Sequence, residues 1–243
     1  MIAIVTGASA GLGAQFARQI VEQFPEIDTL WLIARRVGKL EDLAQTIEGK
    51  QVICLGLDLC DAKSFKYFAD HLAEKRPKVG LLVNNAGCGT LGNLGEVPNE
   101  TQARMCDLNI RALTLMTNTV LPYMVSGGHI INVSSIASFC PNPRMTVYSA
   151  SKAYVSAFTG GLPWPNADGI SGCGRDHRQV QDVPDAALLR PGAGRRRGAP
   201  RGEARTDVLY AEGLLQILSF RRENFADEVD DQSSEDLTVL PVS

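Results

Sequence analysis

With 243 residues, a mass of 26.2 kDa and a formal net charge of −3, the chain is long enough for one large α/β domain around a buried sheet and too near neutrality to argue for a nucleic-acid or membrane-surface partner. Its longest apolar runs have strand length, far short of the ~20 residues that a membrane span needs. The six cysteines, Cys54, Cys60, Cys88, Cys106, Cys140 and Cys173, form no C-x-x-C pair and no metal-ligand rhythm with the histidines, so no metal site is expected and they read as reduced, mostly buried small side chains.

The first expected strand is 2–6, IAIVT. It begins at the second residue, which leaves no room for a signal or transit peptide and makes the cytoplasm the expected location. It runs directly into TGASAGLG, with glycines at Gly7, Gly11 and Gly13, and a helix is expected over 11–23. A turn without Cβ atoms lets backbone N–H groups and a helix N-terminus approach a pyrophosphate. The spacing, G-x-x-x-G-x-G, departs from the commoner G-x-G-x-x-G. The second strand, 29–33, ends in ARR. A carboxylate there would accept from an adenosine ribose, whereas a cation accommodates a 2′-phosphate. Arg35 and Arg36 oppose the dipole of the helix expected over 37–48, so their placement asks for an anion, and NADP(H) is expected in preference to NAD(H).

A third strand at 51–55 leads through LDL, with Asp58, to a helix at 61–75. A fourth at 80–84 ends in NNAG, residues 84–87, and a long helix over about 99–125 contains DLNIRA with Asn109. A fifth at 129–133 runs into Ser134 and Ser135, and a last helix starts near Val147 with YSASK. Apolar strands alternating with helices of three and four spacing imply a parallel sheet covered on both faces. The expected fold is therefore a Rossmann-type doubly wound α/β domain with its ligand at the carboxyl ends of the strands.

Tyr148 and Lys152 are four residues apart at a helix start, so both project from one face. A free phenol titrates near pH ~10, so acid–base work at neutrality asks for about 3 units, roughly 4 kcal/mol. An ammonium about 5 Å away at an effective dielectric of about 20 supplies roughly 3 kcal/mol of that. Taken singly, a Tyr–Lys pair reads as a solvated helix face, a serine pair as a cap and Asn109 as a buried polar residue. Their order behind a glycine turn is what points to chemistry.

Taken together, TGASAGLG, LDL, NNAG, DLNIRA, INVSS and YSASK resemble, over residues 1 to about 159, the short-chain dehydrogenase/reductase family, in particular NADP-preferring bacterial members. The resemblance implies an oxidoreductase that interconverts a carbonyl and an alcohol of a small molecule by hydride transfer, and a homo-oligomer. It implies that Tyr148 is the proton donor or acceptor, that Lys152 tunes it and holds the nicotinamide ribose, that Ser135, thirteen residues before the tyrosine, orients the substrate, and that Asn109 carries a water-linked proton path to Lys152. For the cofactor it implies Gly7, Ser9, Gly11, Leu12 and Gly13 at the pyrophosphate, Arg35 and Arg36 at the 2′-phosphate, Asp58 beside the adenine, and Asn85, Ala86 and Gly87 along the adenosine side.

From about Gly160 the pattern stops. Residues 160–205 are rich in Gly, Pro and Arg without a sustained period, and only 207–220, DVLYAEGLLQILSF, suits a helix. The expected division is a Rossmann-type domain at 1–159 and an irregular tail at 160–243, with the C-terminal strands and substrate lid of the family missing or irregular. Residues 1–152 hold seven Lys and seven Arg, whereas 153–243 hold no Lys and ten Arg. Three readings stand: a new lid, a grafted basic module, or a displaced reading frame beginning near the codons for Thr159 to Pro163, since shifted GC-rich DNA trades lysine for Arg, Gly and Pro. The basic stretch GRRRGAPRGEAR has no interleaved aromatic, which argues against nucleic acid. The alternative to an enzyme is a catalytically silent nucleotide-binding fragment with an incomplete sheet edge.

Overall fold

Successive residues of a strand face opposite sides of its sheet, and in this chain both sides find an apolar cover. The computed structural model describes residues 1–162 and the backbone of 205–209. Strands β1 (Ile2–Thr6), β2 (Thr29–Ala34), β3 (Gln51–Gly56), β4 (Val79–Asn84), β5 (Met124–Val133) and β6 (Arg205–Leu209) form a sheet in the order β3-β2-β1-β4-β5-β6, every neighbouring pair parallel. The helices are α1 (Gly11–Gln23), α2 (Val37–Gln45), α3 (Ala62–Lys75), α4 (Asn99–Cys106), α5 (Leu113–Val120) and α6 (Thr146–Gly160).

On one face Val5, Leu32 and Val83 pack with Phe16 and Ile20 of α1 and Leu40 of α2; on the other Ile4, Ile33 and Leu82 pack with Phe68 and Leu72 of α3 and Met116 of α5. The strand residues thus alternate between two cores, as a doubly wound sheet requires. Phe68 is wholly buried, and cutting such a ring back to alanine costs about 3–5 kcal/mol. The strand order reverses direction between β1 and β4, and the crevice at that reversal is where a ligand enters such a fold.

Several expectations need correction. The helix expected over about 99–125 is α4, then a π-helical stretch Asp107–Ala112, then α5 and a short 3-10 turn. The wider π turn arises where Asn109 is drawn inward by partners far along the chain. Helix α2 stops at Gln45 rather than 48, because the Thr46 hydroxyl donates back to the Leu43 carbonyl at 2.8 Å and Gly49, at φ +74°, turns the chain away. Strand β5 begins at Met124, five residues before its apolar half, with Gly127 at φ +78°.

Arg205–Leu209, at the start of the region expected to be helical, is instead a strand pairing with His129–Val133. A sixth strand therefore covers the outer edge of β5, where none was expected; residues 210–220, and the region in which the substrate lid was expected to be missing or irregular, lie outside the described residues. The cysteines are also less buried than their composition suggested. Cys54 and Cys60 are half-buried and Cys88, Cys106 and Cys140 exposed, none in a disulfide, because they fall on an edge strand, in loops and on outer helix faces; Cys173 lies outside the described residues.

Candidate functional site

The loops that leave β1 and β4 meet at the reversal point, stitched by one residue at the end of β1. The Thr6 hydroxyl accepts from the backbone N–H groups of Asn85 and Ala86, both at 3.0 Å, and the Asn85 amide donates to the carbonyls of Thr6 and Gly7 at 3.0 and 3.2 Å. Gly7 and Gly11 have φ of +67° and +54°, the left-handed region that favours glycine. A Cβ on Gly13 would strike the Gly7 carbonyl oxygen, whereas one on Gly11 would meet nothing within 4 Å. The turn is thus tight where it packs and open where it faces outward, at the N-terminus of α1. Ala10, the residue that caps α1, offers no side-chain acceptor, so the first N–H groups of the helix remain available to an anion.

A cleft of about 310 Å³ runs from this turn past the ends of β2 and β3 to α4. Gly7 and Ser9 line one end, Arg35 and Arg36 the edge beyond β2, Asp58 the end of β3, and Ala86 and Gly87 the floor. Arg36 donates to the Ser9 hydroxyl at 3.2 Å. Gly11, Leu12 and Gly13 do not line this cleft, Gly11 being exposed beside it, and Asn85 turns its side chain onto the glycine turn instead of into the cleft. Burial pulls the Asp58 carboxyl upward, but hydrogen bonds from the Cys60 N–H and the Arg104 guanidinium, with the charge of Arg35, outweigh it and hold the group below its ordinary value.

Tyr148 and Lys152 stand at the head of α6, one turn apart. Lys152 is only 6% exposed; its ammonium donates to the Val133 carbonyl at 2.9 Å and lies 5.7 Å from the centre of the Tyr148 ring. Burial lowers its pKa from 10.5 to about 8, against a small opposing pull from Cys88. The tyrosine ring rests against Gly89, where a Cβ would come within 3.0 Å of Cδ2.

The two serines divide. The Ser134 hydroxyl is buried and donates to the Lys152 carbonyl at 3.0 Å, with Ser156 Oγ at 2.8 Å. That of Ser135 accepts from the Ala137 N–H at 3.2 Å, which leaves its own proton to give. Asn109, 1% exposed, clamps the loop after β4: its Oδ1 accepts from the Cys88 N–H at 2.9 Å, and its Nδ2 donates to the Cys88 carbonyl at 2.8 Å and to Ser151 at 3.0 Å. A Cβ on Gly87 would lie 3.2 Å from Asn109 Oδ1 and 3.4 Å from Lys152 Nζ, so both polar atoms crowd the same side of that glycine.

Sequence reasoning missed Thr6 and Arg104. The first was visible as a polar residue closing an apolar strand just before a glycine; the second carries no local signal. Among the described residues no group of His, Cys, Asp or Glu stands together as a metal would need, and no helix is long and apolar enough to cross a membrane.

Residues 1–165 match the family of short chain dehydrogenases. An uncharacterised oxidoreductase of Staphylococcus saprophyticus is 33% identical over 166 residues, 66% of this chain and 70% of that protein. A short-chain dehydrogenase from Sphingobium yanoikuyae in complex with NADPH is similar in structure, with TM-score 0.60, 30% identity and coverage of 66% of this chain and 64% of that one. One from Burkholderia phymatum in complex with NAD gives 0.59, 30%, 65% and 57%. The chain spans 45–70% of the length of eight curated relatives. A match over some two thirds of the sequence, on the same doubly wound sheet and with its motifs in the same order, makes this chain a member of the short-chain dehydrogenase/reductase family.

Proposed function

We propose that the protein is an NADP(H)-dependent oxidoreductase that interconverts a carbonyl and an alcohol on a small molecule. The observation that carries this reading is the buried Lys152 ammonium beside Tyr148, at the carboxyl end of β5, set against Gly87, which itself lines the cleft that begins at the glycine turn. The cleft suits a dinucleotide: Gly11 leaves open space above a helix N-terminus for a pyrophosphate, and the edge beyond β2 offers Arg35 and Arg36 with Ser9 and no carboxylate. Two family members bind different nicotinamide cofactors, NADPH in one and NAD in the other, so the choice of NADP(H) rests on those arginines.

Reducing a carbonyl takes a hydride at carbon and a proton at oxygen; a bound reduced nicotinamide supplies the hydride. Tyr148 gives the proton, and the Lys152 charge stabilises the phenolate left behind. Ser135 orients the substrate oxygen with the proton its hydroxyl has left. Asn109 is assigned to the return path through water, since its Oδ1 and the Lys152 ammonium flank the same spot on Gly87. In oxidation the same groups work in reverse.

A second reading, a nucleotide-binding chain without turnover, is favoured by the end of the family match at residue 165. Purified full-length protein titrated with NADPH and then offered a panel of ketones and aldehydes separates the two. Binding with turnover that disappears in Tyr148→Phe supports the enzyme. Binding without turnover on any substrate supports the silent chain, and absence of binding to either nicotinamide dinucleotide sinks both.

A further inference from the structure

The turn that leads into α6 carries a cation beside Tyr148. Arg144 lies in the short 3-10 turn Pro143–Met145, four residues ahead of the tyrosine. Its backbone is pinned from both sides: the N–H donates to Asn142 Oδ1 at 2.9 Å, and the carbonyl accepts from the Gly92 N–H at 2.8 Å. Its side chain is exposed, and among the described residues the guanidinium enters no ion pair and no hydrogen bond. A guanidinium is always charged and offers five N–H donors, so this residue is fixed at its root and unspent at its tip.

The Gly92 contact draws the loop after β4 against that turn, and a small hollow of about 10 Å³ lies between them. That is room for one water-sized group, so the hollow takes the end of a molecule and not its body. Arg144 and Tyr148 both line it, with Leu94, Val97 and Met105 as apolar wall, and no carboxylate lines it. Glu96, the acid of the same loop, is committed elsewhere: Asn93 Nδ2 donates to both of its oxygens at 2.9 Å, and the Asn93 N–H donates to Oε2 at 3.1 Å. Those bonds, with a smaller pull from the Arg144 charge, hold the Glu96 carboxyl below its ordinary value. The charge that faces the hollow is therefore positive, and it stands beside the phenol.

We propose that the substrate is a small carbonyl compound ending in a carboxylate, and that Arg144 binds this carboxylate while Tyr148 meets the carbonyl oxygen. The inference rests on the reading of Tyr148 as the proton donor of an oxidoreductase. A guanidinium fork matches the two oxygens of a carboxylate, and the apolar wall keeps part of the pair from water, which strengthens it. The discriminating probes are oxo acids of increasing length, each beside its methyl ester, which keeps the carbonyl and the chain and removes the charge.

NADPH oxidation by the full chain, followed with 4-oxobutanoate, 4-oxopentanoate, 5-oxohexanoate and their methyl esters, is expected to show at least one acid above its ester in kcat/KM by about 10-fold or more, chiefly through KM, the range of one charge-assisted hydrogen bond. Arg144→Gln should raise KM for that acid by about 10-fold and bring the acid-to-ester ratio close to one. Arg144→Lys, which keeps the charge without the fork, should retain part of the preference. A wild-type protein that prefers no acid to its ester overturns the proposal, as does a preference that Arg144→Gln leaves in place. Those results leave the oxidoreductase reading standing wherever an ester or another ketone or aldehyde is reduced, whereas a wild-type protein that reduces no carbonyl compound at all overturns that reading and this one with it.

Discussion

The Lys152 ammonium donates to the Val133 carbonyl at 2.9 Å, tying the first turns of α6 to the last residue of β5 through a charge that the fold has largely stripped of water. That burial has a sign. Protonation is harder in the folded chain, where the pKa is about 8, than in the unfolded chain, where it is near 10.5. Below pH 8 the group is charged in both states and the fold bears the full desolvation cost, about 3 kcal/mol. Between pH 8 and 10.5 the unfolded chain binds the proton more tightly, so this group makes stability rise with pH. Urea melts at pH 7 and pH 9.5 should show that rise, and Lys152→Met, which removes the charge but keeps the length, should lack it. A wild type and variant with the same pH slope would count against a desolvated ammonium.

Carbonyl reduction should respond to the same titration in the opposite direction. The Lys152 charge that we propose stabilises a Tyr148 phenolate is present below about pH 8 and is lost above it, so kcat for reduction should decline as pH rises through that value. Tyr148→Phe removes the proton itself and should lower kcat by about 10²–10⁴-fold while leaving NADPH affinity within about 2-fold, since the ring is kept. Loss of affinity in step with loss of rate would place Tyr148 in folding or binding instead of proton transfer.

Gly89 sets where that phenol stands. A Cβ there would lie 3.0 Å from Tyr148 Cδ2, 3.3 Å from Cε2 and 3.5 Å from Met145 Cε, and a rigid ring on a helix can yield only by moving as a whole. Gly89→Ala should shift the hydroxyl by a few tenths of an ångström and lower kcat by about 3–10-fold, a part of the ~10²-fold that a full ångström can cost. Cofactor affinity should not change. Full activity in the alanine variant would mean that the loop, and not the ring, gives way.

The parts of the site that lie close together in sequence were legible there, and the parts built from distant residues were not. Tyr148 and Lys152 share a face because four residues make about one turn, and the strands β1 to β4 could be bounded within a residue by their apolar runs. The π turn could not be seen. Residues 107–112 fit an ordinary helix equally well, and what widens the turn is the pairing of Asn109 with Cys88, 21 residues away. Arg104 meets Asp58 across 46 residues for the same reason. Strand β6 was hidden because RTDVL is five residues long with two charges among them, a composition that becomes a strand only when an edge such as β5 is there to pair with it.

The edge beyond β2 makes a separable prediction about cofactor choice. Arg36 reaches the Ser9 hydroxyl at 3.2 Å, which turns its guanidinium toward the glycine turn and leaves further N–H donors for a phosphate on the adenosine ribose. One charge-assisted contact of that kind is worth about 1.5–3 kcal/mol, so Arg36→Ala should weaken NADPH by about 10–100-fold. NADH has no phosphate there and should bind the variant within about 2-fold of the wild type. Because an exposed guanidinium–phosphate contact is screened by ions, raising the salt from 50 to 500 mM should erode the NADPH preference of the wild type and change that of the variant much less. Equal loss of both cofactors on substitution would show that Arg36 holds the glycine turn through Ser9 and does not read the phosphate.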